Sequence, residues 1–60
     1  MHKYQVSIEI FLDKGNKVVR DVVVEAGTKK LATIRALLDI SKESDFKDLY
    51  KKIKSCELVG

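Results

Sequence analysis

Tyr4, Val6, Ile8, Ile10 and Leu12 stand at every second position, interleaved with Gln5, Ser7, Glu9 and Phe11. A period of two over this length predicts a β-strand with one buried face. Asp13-Lys14-Gly15-Asn16 follows as a turn, since Gly and Asn tolerate the positive φ of tight reversals. The next run, KVVRDVVVEA, is rich in β-branched residues and predicts the returning strand. Side-chain matching places Asp13 opposite Lys17, Leu12 opposite Val18, Ile8 opposite Val22, Val6 opposite Val24 and Tyr4 opposite Ala26. A one-residue slip would set Asp21 opposite Ile10 and turn every side chain to the wrong face. The preferred register puts Arg20 opposite Ile10, its stem lying over the sheet margin. Phe11, Val19 and Val23 then point away from the covered face, as scattered exposed apolar residues commonly do.

The period changes in Thr28 to Ser41, TKKLATIRALLDIS. Leu31, Ile34, Leu37 and Leu38 share about one third of a helix circumference, which predicts a helix laying that stripe on the core. Thr28 is suited to cap its start, and Gly27 before it to let the chain turn. Ile40 falls on the opposite side with Ala32 and Ala36, an apolar patch where a solvated face is expected. That patch suggests a protein partner. SDFKDLYKKIKS then predicts a second helix, capped by Ser44 or Asp45, with Phe46, Leu49, Tyr50 and Ile53 on one face and Asp48 paired to Lys52 on the other. In SCELVG, Cys56 and Leu58 alternate with Ser55 and Glu57, which predicts a third strand beside the first or the second. The expected fold is α+β in the order ββααβ: an antiparallel three-stranded sheet with two helices packed on one face, a single small domain over residues 1–60.

A chain of 60 residues buries only about 60% of its unfolded surface, which disfavours a deep catalytic cavity and hence an enzyme. Twelve Lys and Arg against nine Asp and Glu give a net charge of +3 with both signs interspersed. A nucleic-acid binder of this size more often carries a clustered basic stripe among aromatics, and the aromatics here are Tyr4, Phe11, Phe46 and Tyr50. A sheet offering Phe11 alone is a thin stacking platform, so direct nucleic-acid binding is not expected. The single Cys56 cannot form an internal disulfide, and no apolar segment resembles a signal or a membrane span, which points to a soluble cytoplasmic protein. His2 at a frayed end and Cys56 among apolar neighbours make no nucleophilic pair. Metal-ligand spacing and a glycine-rich phosphate loop are both lacking, so no catalytic residue, metal or cofactor is expected. Lys29, Lys30 and Arg35, and Lys47, Lys51, Lys52 and Lys54, read as solvated faces of their helices.

The order of elements, the length, the Leu31-Ala32-Thr33 opening of the central helix and the terminal Cys56-Glu57-Leu58 followed by Gly60 resemble the Dmd-type antitoxins of T-even-like phages. The matches are the short Ala32-Thr33 and Cys56-Glu57 pairs, and most other positions depart from the family pattern: Leu31, for one, stands where an aromatic occurs and Ile40 where a polar amide occurs. The resemblance implies a protein that binds a bacterial endoribonuclease toxin of the RnlA or LsoA kind and blocks mRNA cleavage during infection, in place of the host antitoxin. An inhibitor imitating RNA would be acidic, so steric occupation is the expected mode for a chain of +3. The expected contact is one edge of the central helix, formed by Leu31, Arg35 and Ile40 with flanking Lys42. The free protein is expected to be a monomer. Two competing readings are a small nucleic-acid-binding module and a homo-oligomer joined through Phe11, Val19 and Val23 or through an unpaired sheet edge.

Overall fold

The alternating run forms the central strand, β1 (His2–Phe11), and buries Tyr4, Val6, Ile8 and Ile10 on one face. The chain reverses through a 3-10 turn at Asp13–Gly15 and returns antiparallel as β2 (Lys17–Ala26). Helix α1 (Lys29–Ser41) follows, and β3 (Tyr50–Leu58) closes the sheet on the far side of β1, in the order β2-β1-β3. This computed structural model describes residues 1–43 and 45–60. The architecture is α+β, a three-stranded antiparallel sheet with α1 across one face.

The hairpin register differs by two residues from the one expected. Ile8 faces Arg20, Val6 faces Val22 and Tyr4 faces Val24. An even shift keeps every side chain on its face, so both registers satisfy the hydrophobic pattern and the turn decides between them. Lys14 (φ 64°) and Gly15 (φ 77°) hold the left-handed conformation, whereas Asn16 is extended at φ −78°. This moves the apex back by one residue. The Leu12 amide then donates to the Asn16 carbonyl at 2.7 Å and closes the reversal. Arg20 therefore lies on the helix side opposite Ile8, and its guanidinium reaches outward to Glu43 at 3.2 Å and over the Phe46 ring at 5.6 Å.

The expected second helix is replaced by turns and strand. Phe46 and Leu49 donate to the carbonyls of Glu43 and Phe46 in successive turns, and β3 begins at Tyr50, so the order is ββαβ. Of the two residues expected to cap that helix, Ser44 lies outside the described residues, and Asp45 sits in a turn. Pairing favours a strand, and a bulge hides its pattern. β1 pairs with β3 from Tyr4 to Phe11, and a third strand starting only at Ser55 would leave the ladder unpaired from Ile8 to Phe11. The alternation of β3 is also masked by a β-bulge. Ser7 faces Ser55 but Ile8 faces Ile53, so Lys54 has no partner residue and the period of two restarts across it. Counted without Lys54, the positions Lys51, Ile53, Cys56 and Leu58 alternate with Tyr50, Lys52, Ser55 and Glu57.

The helix also packs on the face opposite to the one expected. Ala32, Ala36 and Ile40 are buried against Val6, Ile8, Ile10, Val24 and Ala26, while Leu31, Ile34 and Leu38 face solvent and Leu37 is half-buried. The sheet supplies large branched side chains, so a helix presenting small alanines settles close above them, with Ile40 filling the far end. Packing the leucine stripe there would hold the helix further from the sheet. Beyond β3, Lys3 and residues 59 and 60 extend the ladder through two backbone bonds of 2.8 and 3.0 Å. Among the described residues no helix is long and apolar enough to cross a membrane.

Candidate protein-docking surface

Thr28 caps α1, accepting from the Leu31 amide at 3.2 Å. With Ala32, Ala36 and Ile40 held against the sheet, helical geometry aims Leu31, Ile34 and Leu38 straight outward at spacings i, i+3 and i+7. They are 46%, 45% and 60% exposed and form a continuous aliphatic ridge. Arg35, Asp39 and Lys42 flank it on the side of β2. The Arg35 guanidinium donates to the carbonyl of Glu25, which ties the helix to the free edge of β2. Lys42 lies 3.9 Å from Asp39. Between this flank and β2 runs an open groove of about 730 Å³, lined in part by Val23, Val24, Arg35, Leu38, Asp39 and Lys42.

Of the four residues expected to contact a partner, Arg35 and Lys42 stand on the groove wall and Leu31 on the ridge beside it. Ile40 does not belong with them. At 2% exposed it is a core residue, because the alanine stripe on which it lies is the one that faces the sheet. Ile34, Leu38 and Val23, which are not among the expected contacts, stand exposed on the same candidate surface. The signal was present, since Ile34 and Leu38 belong to the strongest periodic stripe of the chain. Its period alone places it on the core, and that period does not say which of two apolar stripes faces the sheet.

The opposite face of the sheet is open. Phe11 and Tyr50 face each other across β1 and β3, with ring centroids 5.4 Å apart. Beside them Lys17 donates to Glu9 at 2.7 Å, and that bond holds the Glu9 carboxyl below its ordinary value; burial opposes the effect, and the charges of Lys17, Lys52 and Lys54 add to it. Ser7 donates to Asp21 further along. His2 packs edge-on against Tyr4 at 6.4 Å, and Cys56 stands half-buried opposite Val6, so the fold does not bring the two together as a reactive pair. Among the described residues no cluster of three or more His, Cys, Asp or Glu could hold a metal ion. Compared with protein-family models, curated proteins and solved structures, the chain shows no significant match to any of them.

Proposed function

We propose that this protein inhibits a bacterial mRNA-cleaving endoribonuclease toxin of the RnlA or LsoA kind, as its resemblance to Dmd-type phage antitoxins implies, and that it docks the ridge of α1 into a groove of the toxin and blocks it by steric occupation. The observation that carries the reading is the ridge itself. Three large aliphatic side chains lie exposed side by side on the one α-helix among the described residues, in a domain that has little apolar surface to spare. Arg35, Asp39 and Lys42 border them, and an apolar anchor inside a charged rim is the arrangement that concentrates binding energy at protein interfaces. The net positive rim, two cations to one carboxylate, and the net +3 of the chain fit occlusion better than imitation of an RNA polyanion. In this reading the free chain is a monomer in the host cytoplasm, where the toxin meets its mRNA.

The test is co-purification of the tagged chain with an RnlA-type toxin, followed by a cleavage assay on the purified pair. The expected result is a complex that survives moderate salt, because apolar anchors are not screened, and in which cleavage is suppressed. Leu38→Asp should release the toxin and restore cleavage without unfolding the inhibitor. A toxin that stays active and unbound beside the folded protein would overturn the proposal.

A further inference from the structure

The open face of the sheet carries a second set of features that the ridge does not use. Tyr50 begins β3 directly opposite Phe11, and the two rings meet at 46°, with Tyr50 69% exposed and Phe11 half-buried. One ring thus backs the other and leaves an aromatic surface to solvent. Cations gather at the same end. Lys17 faces Phe11 from β2, Lys52 faces Glu9 from β3, and Lys54 is the bulged residue that follows. Glu9 is the carboxylate among them and is already engaged by Lys17, which leaves Lys52 and Lys54 in excess. The other end of the face has the opposite balance, with Asp21, Glu25 and Glu57 against Lys3. Charge therefore changes sign along the strands, and the aromatic pair sits in the positive half.

We propose that this half of the open face binds single-stranded nucleic acid, its bases stacking on Tyr50 and Phe11 and its phosphates held by Lys52 and Lys54. Every base has a π-face that an exposed ring can cover, and a duplex hides those faces within its own stack, so an aromatic step next to lysines selects the single strand. An acidic peptide would satisfy the lysines and leave the Tyr50 ring uncovered. The β-bulge serves the site, since the extra residue is Lys54, whose charge acts on Glu9 together with that of Lys52, while the pairing continues on either side. The proposal does not rest on the toxin reading, because it uses the opposite face of the sheet.

The test is fluorescence anisotropy of a short labelled oligo(U) titrated with the full chain, read together with quenching of tyrosine emission. Binding is expected at low salt and should weaken roughly sevenfold between about 50 and 200 mM salt, as two phosphate contacts to a single strand require. Tyr50→Ala should weaken it about tenfold or more, while Tyr50→Phe, which keeps the ring, should retain it. Lys52→Glu should weaken it and reduce the salt dependence, and Leu38→Asp on the other side of the molecule should leave it unchanged. Absence of binding at low salt would overturn the proposal, as would equal affinity for a duplex. Undiminished binding by a folded Tyr50→Ala variant would do the same, and so would a face closed by self-association of the chain with no oligonucleotide bound.

Discussion

Glu9 sits on the open face within a hydrogen bond of Lys17, and that bond is the main reason its carboxyl titrates below the ordinary 4.5. A carboxyl whose folded value is lowered stabilises the fold above its unfolded value and loses that contribution as pH falls through the folded value. Glu9→Gln should therefore melt below the parent protein at neutral pH, and the gap should close as pH drops past 4.5, a trend that paired melting curves would trace. A gap independent of pH would mean that the Lys17 bond contributes nothing through charge. Thr28 acts by a different mechanism, satisfying one free amide at the start of α1. Thr28→Ala should cost about 1 kcal/mol and lower the melting temperature by about 4–8 °C. This cap was legible in the sequence because capping depends on neighbours a few residues away. The position of Lys14 in the left-handed region was not, since Gly15 and Asn16 both suit such a conformation better and only the closed turn selects between the apices.

At the scale of elements, β1 and the existence of α1 followed from periodicity and β2 from its β-branched composition after a turn, and the errors arose where two periodic readings competed. The segment from Phe46 to Ile53 satisfies a helical stripe only if the bulge at Lys54 is unknown, and a bulge leaves no mark on composition. The pairing needs of β1 settle its second part, from Tyr50 onward, as strand, and the first part is left as turns. On α1 both stripes are apolar, and the choice between leucines and alanines depends on the shape of the sheet below, which no local pattern contains. The correction moves the proposed docking surface from the edge bearing Ile40 to the ridge of Leu31, Ile34 and Leu38, bordered by Arg35 and Lys42. Two substitutions to the same residue separate the faces. Ile40→Asp places an unpaired charge in the core, a cost of several kcal/mol that a domain of this size cannot absorb, and circular dichroism should show it unfolded. Leu38→Asp puts the same charge in water and should leave the spectrum and melting temperature within a few degrees of the parent. If Leu38→Asp unfolded and Ile40→Asp did not, the helix would be packed by its leucines.

Taken whole, the molecule exposes more than its mass requires. Its accessible surface is 4279 Å², against about 3,950 Å² expected for a compact monomer of 6.8 kDa. The excess has a geometric cause: one helix covers one face of a long hairpin, giving extents of 38 × 18 × 14 Å with the second face of the sheet uncovered. Such a body has a small core and two uncommitted surfaces, so its stability should respond strongly to whatever covers one of them. Binding to the folded state alone stabilises by about 2.7 kcal/mol when the free partner is present at 100 times its Kd. For a domain of this length that corresponds to a rise of about 10–20 °C in melting temperature. An RnlA-type toxin added in excess should produce a shift of this size in the parent protein and none in Leu38→Asp, whereas oligo(U) should shift both variants equally and lose its effect as salt rises. The comparison assigns each partner to its own face, because a charge at Leu38 can interfere only with what lies across the helix.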